Sequence, residues 1–227
     1  MGWSDNFESL RVTAYLRTGI ICDRWLPLDA ILLYQASRDQ CSEQMATLPG
    51  GETEKKNVTM PLAVIHPGES DWYYACSWAQ PQPWWIAEGR DYWNKRLDQQ
   101  FAYLVDFGGR RGKVMTAKGR YRSYHMPVFY RTALEITWYC VGDKERIECL
   151  LSTVTHIGKK RAQGWGAVAR WKVTLYPEDY SIWRGKQLTR GVPIQDAKEE
   201  KILRLMHYGL RPSYYRSQNQ MPLAMPE

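Results

Sequence analysis

The residues best suited to chemistry lie in one run, His156-Ile157-Gly158-Lys159-Lys160-Arg161-Ala162-Gln163-Gly164-Trp165-Gly166. Its glycines let a backbone come close to a phosphate and expose its amides. Lys159, Lys160 and Arg161 are consecutive cations that neutralise phosphate charge, and Trp165 offers a ring to cover a base or ribose. That combination suits a nucleic-acid backbone rather than a nucleotide cofactor. The GxxxxGK(S/T) order of a Walker loop is missing, and the run follows a helical pattern instead of a strand, unlike a dinucleotide fingerprint. The competing reading is a tight solvated turn whose glycines serve only the passage into the next strand.

A second basic region precedes it. Residues 90–131 hold ten Lys or Arg against three Asp, a local excess of +7 that equals the formal net charge of the whole chain. Its cations Arg110, Arg111, Lys113, Lys118, Arg120 and Arg122 alternate with aromatics, Tyr124 among them. Cations for phosphates and rings for stacking are what single-stranded RNA requires. The alternative is a charged hairpin that merely keeps an exposed insertion soluble.

Metal-independent RNA cleavage would need histidine, tyrosine and lysine as acid, base and charge stabiliser. His125, near Tyr124 and Lys118, is the best such set, and His156, near Lys159 and Lys160, is second. A histidine in basic, aromatic surroundings more often stacks or hydrogen-bonds than catalyses, so the expectation is a binder without turnover. His66 and His207 have no chemical neighbours along the chain. No HxxxH or carboxylate cluster suggests a metal, and no cofactor is implied.

The elements that must position these residues follow from pattern. At 227 residues the chain can bury a core without disulfides, and its five cysteines are scattered singly. The longest apolar runs are too short for a bilayer, and the first residues lack a secretory h-region, so the expected place is the cytoplasm. Leu10–Ile21 alternates as a strand, and Pro27 marks a helix running to about Ser37. Residues 41–59 read as an exposed loop, followed by strands at Met60–His66 and Trp72–Trp78. Trp72, Tyr73, Tyr74, Trp78, Trp84, Trp85, Tyr92 and Trp93 are either core or a protein interface.

Leu134–Val141 is a core strand. Asp143 caps a helix with Ile147, Leu150, Leu151 and Val154 on one face and Gly158 near its end, and Ala167–Leu175 is the last core strand. Residues 196–208 suggest a helix, and 216–227 a frayed tail. The order fits an α+β, ferredoxin-like split βαβ pattern, with the basic 90–131 region inserted as a hairpin thumb.

The late loop, of the form G-(K/R)-x-(R/K)-x-x-G-x-G, resembles the signature loop of the RAMP superfamily of CRISPR proteins, with Gly158, Lys159, Arg161, Gly164 and Gly166 in place. The opening VTAYLRTGIICDRWLPLDAILLY is also similar to RAMP subunits. Length and both segments most resemble the Cas-five-like subunit of type IV systems, the Csf-three family. The resemblance implies a single RRM-like RAMP domain that caps the 5′ handle of CRISPR RNA within an antiviral or anti-plasmid ribonucleoprotein. It also implies a backbone-forming Cas-seven-like partner, a large-subunit-like protein, target DNA contacted within the complex, and a DinG-like helicase. The resemblance and the chemistry of the run together give as expected RNA-binding residues Gly158, Lys159, Lys160, Arg161, Gly164, Trp165 and Gly166, with the thumb cations above and Tyr124.

Overall fold

The alternation of β1 (Glu8–Leu16) buries Leu10, Val12 and Ala14 on one side and leaves Arg11 and Tyr15 on the other. The computed structural model describes residues 6–45, 59–66, 68–82, 85–96, 118, 122–197 and 204–226, with the side chains of 39–45 and 82 outside that description. β1 ends at Leu16, short of the expected Ile21, because its register with its neighbour shifts at Tyr15/Leu16 and a turn follows at Arg17-Thr18.

Helix α1 (Leu28–Met45) starts just after Pro27 and turns Leu28, Leu32 and Ala36 into the core at helical spacing. It continues eight residues beyond the expected end at Ser37, so helix takes the first part of the presumed 41–59 loop. Residues 46–58 lie outside the described residues. The expected strands at 60–66 and 72–78 are only partly regular, as β2 (Val64–Ile65) and β3 (Tyr73–Tyr74). Their flanks nevertheless bond to the sheet, Ser77 N donating to Tyr139 O at 2.7 Å and Ala63 N to Val141 O at 2.9 Å.

β4 (Gln80–Gln82) leads to a long antiparallel hairpin, β5 (Ala87–Lys95) with β6 (Tyr124–Thr132). β7 (Glu135–Gly142) then returns to the centre of the fold. Asp143 caps α2 (Lys144–Ser152), accepting from Arg146 N at 3.0 Å, and Ile147 and Leu151 are fully buried. The helix stops at Ser152, well before Gly158, because Thr153 closes it. β8 (Val168–Leu175) matches its expected range.

The architecture is α+β. Its main sheet has the order β4-β7-β1-β8 with every pair antiparallel. Leu28 and Leu32 of α1 and Ile147 and Leu151 of α2 share one core with Leu10, Val12, Ala14, Ile136 and Trp138, so both helices cover the same face of that sheet. Among the described residues no helix is long and apolar enough to cross a membrane.

After β8 come a short hairpin of β9 (Trp183–Arg184) and β10 (Gln187–Leu188), then β11 (Val192–Pro193), β12 (Leu205–Gly209) and β13 (Gln220–Ala224). Two expectations are corrected here. The supposed helix at 196–208 is a strand from Leu205, since Met206 and Tyr208 alternate inward onto Trp78 and Leu223; residues 198–203 lie outside the described residues. The supposed frayed tail forms β13, the middle strand between β11 and β12, because Leu223, Ala224 and Met225 bury against that same cluster.

Arg190 fastens this second sheet to the first layer. Fully buried, it donates to the carbonyls of Tyr74 at 2.6 Å, Cys76 at 3.0 Å and Leu210 at 2.6 Å, and stands 3.7 Å from Asp29 at the start of α1. Tyr214 donates to the same Asp29 carboxylate at 2.8 Å. A buried charge is tolerated only when its donors are so fully satisfied.

Candidate nucleic-acid interface

Three segments distant in sequence meet at one end of the main sheet: residues 17–23 after β1, the β5–β6 hairpin, and loop 156–167 between α2 and β8. Backbone bonds join them. Arg17 N donates to Ala167 O at 2.8 Å, Gly166 N to Gly19 O at 2.8 Å, and Lys159 N to Ile21 O at 2.6 Å. Ile20 and Arg131 exchange both of their N–H···O bonds, at 2.8 and 2.9 Å, which anchors the hairpin base to the same turn. One side chain pins the loop at two points: Thr18 Oγ1 donates to Gly164 O at 2.9 Å and accepts from Ala167 N at 3.0 Å.

The glycines divide by role. Gly166 has φ +67 and a Cβ there would stand 1.9 Å from Ile157 O, so the close approach is to the chain itself. Gly158 is crowded likewise by Ile21 O. Gly164, at φ +87, alone of the three has nothing within 4 Å of a Cβ position, although its N–H donates to Arg161 O at 3.0 Å and its carbonyl accepts from Thr18. Gly158 and Gly166 are thus required by close packing of the chain on itself, whereas Gly164 is required only by its left-handed backbone.

The loop cations are oriented by neighbours on other elements. Lys159 Nζ lies 2.6 Å from Asp23 Oδ1, with both side chains more than half exposed. Lys160, in the left-handed region at φ +57, places Nζ 3.3 Å from the centroid of the Trp93 ring on β5. The Arg161 guanidinium lies over Tyr34 of α1 at 5.0 Å. Trp165 is half-buried against Tyr130 of β6, their centroids 4.8 Å apart at 32°, so one face of its ring is already used.

Register explains how the hairpin presents two unlike faces. Gly89, Trp93, Tyr124, Val128 and Tyr130 lie, partly buried, on the side that leans toward the loop, where Asp91, Lys95 and Met126 are exposed. Arg90, Tyr92, Asn94, His125, Pro127 and Phe129 lie on the other side and are exposed, Phe129 to 69%. Between the hairpin base and the turn is a cleft of about 540 Å³, lined by Arg90, Phe129, Tyr130, Arg131, Ile20 and Cys22 among others. Burial pushes the Cys22 thiol up to about 11, so it stays protonated and is a poor nucleophile.

The loop residues expected from sequence, Gly158 to Gly166, are thus assembled with the hairpin in one region. Of the hairpin cations, Lys118 and Arg122 are exposed, whereas Arg110, Arg111, Lys113 and Arg120 lie outside the described residues. Tyr124 faces the loop side, with its ring 4.8 Å from Trp93.

The expected grouping of His125 with Tyr124 is not realised. Adjacent on a strand, they point to opposite faces, and His125 stacks on Tyr92 at 4.2 Å and hydrogen-bonds Asn94. His156 pairs with Ala167, and its ring hydrogen-bonds Thr155 Oγ1 at 3.0 Å. His66 does have a partner, Asp196 at 3.0 Å, across 130 residues of chain. Among the described residues no three or more His, Cys, Asp or Glu side chains gather as metal ligands.

Sequence reasoning missed Thr18, Asp23, Tyr34 and Trp93. Trp93 carried a signal, as part of the dense aromatic stretch, but that stretch also supplies the core: Tyr73 and Trp78 are buried to 2% and 1% exposure. Comparison with known proteins bears on the whole chain. A family described as CRISPR type IV associated protein Csf3 matches residues 8–226. No curated protein matches.

Proposed function

Because the chain belongs to the Csf3 family of CRISPR type IV associated proteins, we propose that it is a non-catalytic subunit that binds the guide RNA of a type IV effector and caps its 5′ handle. The fold that goes with this reading is a ferredoxin-like RAMP domain with the β5–β6 hairpin as its thumb. In its support, β1, α1, β4, β7, α2 and β8 follow one another as strand, helix, strand, strand, helix, strand around one antiparallel sheet.

The observation that carries the proposal is the convergence of loop 156–167, the turn after β1 and the hairpin on one surface. Lys159, Lys160 and Arg161 supply charge for phosphates, and Gly164, with no side chain and nothing within 4 Å of a Cβ position, leaves room beside them. The opposite face of the hairpin, turned away from the loop, offers a second set of cations and rings in Arg90 beside Tyr92, the Tyr92–His125 stack and Phe129. Rings that accept bases and cations that track phosphates are the two needs of single-stranded RNA, whose 2′-hydroxyls are read in the pockets between them. Tyr124 and His125, which would have to act together in cleavage, are divided between the two faces of the hairpin. Docking of a Cas-seven-like backbone subunit and a large-subunit-like protein, with target DNA and a DinG-like helicase met in the complex, belongs to the same proposal.

The test is incubation of the purified chain with labelled CRISPR repeat RNA without divalent metal, reading bound fraction and product together against a scrambled RNA. Salt-sensitive binding with no product is expected. A discrete product lost in His125→Ala or His156→Ala would replace this reading with a metal-independent endoribonuclease.

A further inference from the structure

The helices cover one face of the main sheet; the other carries Arg11, Thr13 and Tyr15 from β1, Glu135 and Thr137 from β7, and Arg170 and Lys172 from β8. Register places Tyr15 beside Arg170 and Thr13 beside Lys172, with Arg11 one step further along. Arg170 and Lys172 are exposed, and the Arg170 guanidinium sits 4.1 Å from the centroid of the Tyr15 ring. Glu135 is the one acid on this face among the described strand residues, and it meets Arg11 at 3.4 Å, a long contact that leaves most of the guanidinium donors to other acceptors.

The geometry points to this face as a second, phosphate-directed stretch of the RNA path, running from loop 156–167 across Arg170 and Lys172 to Arg11. Three features argue for it. The face adjoins the loop without a break, since β8 begins two residues after Gly166 and Arg17, two residues after Tyr15, bonds to Ala167. Its cations recur every second residue along β8, about 6.7 Å apart, a spacing comparable with the phosphates of an extended single strand. Finally, the track has a definite end, because Tyr176 and Tyr180 pack on Tyr139 and close the far part of the face.

An RNA strand is favoured over a protein partner because what the face exposes is charge: the side chains beneath it, Thr13 and Thr137, are buried and polar, not apolar anchors. This inference rests on the RNA-binding reading above, and the two can fail separately.

The experiment measures binding of a long unstructured RNA by fluorescence anisotropy across a salt series. It uses the natural chain, the sheet-face pair Arg170→Glu with Lys172→Glu, and the loop triple Lys159→Ala, Lys160→Ala and Arg161→Ala. The sheet-face pair should bind roughly tenfold more weakly, and its log-log salt slope should be shallower by about 1.4, the equivalent of two single-strand phosphates. Its loss should add to that of the loop triple. If charge reversal lowers the melting temperature, the neutral pair Arg170→Gln with Lys172→Gln is read instead, with the same slope change expected. An unchanged slope in the sheet-face pair, with the loop triple impaired, overturns the sheet track and leaves the loop reading intact. Impairment confined to the sheet-face pair keeps the track and overturns the loop reading. Absence of RNA binding by the natural chain overturns both.

Discussion

Lys160 Nζ stands 3.3 Å from the centre of the Trp93 ring, joining the loop before β8 to the hairpin that precedes β7. The contact orients a cation without neutralising it, which a carboxylate would do. Trp93→Ala should therefore weaken RNA binding about threefold, in line with an exposed cation–π pair of ~0.5–1 kcal/mol. Adding Trp93→Ala to Lys160→Ala should cost nothing more, because each removes the same arrangement. Titrations of the four proteins check this, and additive losses would show that Trp93 acts on its own.

Asp23 opposes the neighbouring cation. It holds Lys159 Nζ at 2.6 Å on the surface facing the proposed RNA. Asp23→Asn should raise RNA affinity roughly two- to threefold, the scale of an exposed pair. It should also steepen the salt slope by up to about 0.7, as Lys159 becomes free to pair with a phosphate. Weaker binding would mean that Asp23 serves to position Lys159.

Two glycines of one loop should respond unequally to alanine. At Gly164 only the left-handed backbone is penalised, roughly 1–2 kcal/mol, since nothing lies within 4 Å of a Cβ. At Gly166 the same penalty is joined by a clash with Ile157 O at 1.9 Å. Gly166→Ala should lower thermal stability well beyond Gly164→Ala, as differential scanning calorimetry would record.

His66 gives stability a pH dependence. Its hydrogen bond to Asp196 raises its pKa above the ordinary 6.5. A raised histidine contributes stability that is complete below about 6.5 and is lost as pH rises through the folded value. The melting temperature should fall over that window, and His66→Gln should flatten the profile. Tyr73 also donates to Asp196, at 2.8 Å, so the carboxylate keeps a partner when His66 is neutral and the change should be gradual. A profile identical in His66→Gln would assign the pH dependence to another group.

Local signals made much of this fold legible. Alternation marked β1 and β8, and the cap at Asp143 with Ile147 and Leu151 marked α2, because strand and helix period and a side-chain cap are written within a few residues. The C-terminal sheet was not legible. Leu205 and Met206 fit a helix as well as a strand, and only Trp78 and β13 decide between them from elsewhere in the chain. The site behaves alike: the glycines and cations of 158–166 stand out in sequence, whereas Thr18 and Trp93 matter through hydrogen-bond and ring contacts across long separations. The two-faced hairpin followed from a register that composition does not encode, which is why His125 and Tyr124 looked like partners.

The position of β13 between β11 and β12 bears on the order in which the chain matures. Chains emerge from the ribosome N-terminal end first, so every element of the main sheet, through Leu175, is made before the strand that completes the smaller one. Until Gln220–Ala224 arrives, Trp78 and Val192 lack the Leu223 cover that closes their cluster. A nascent chain could therefore present its 156–167 loop while its second sheet is still open.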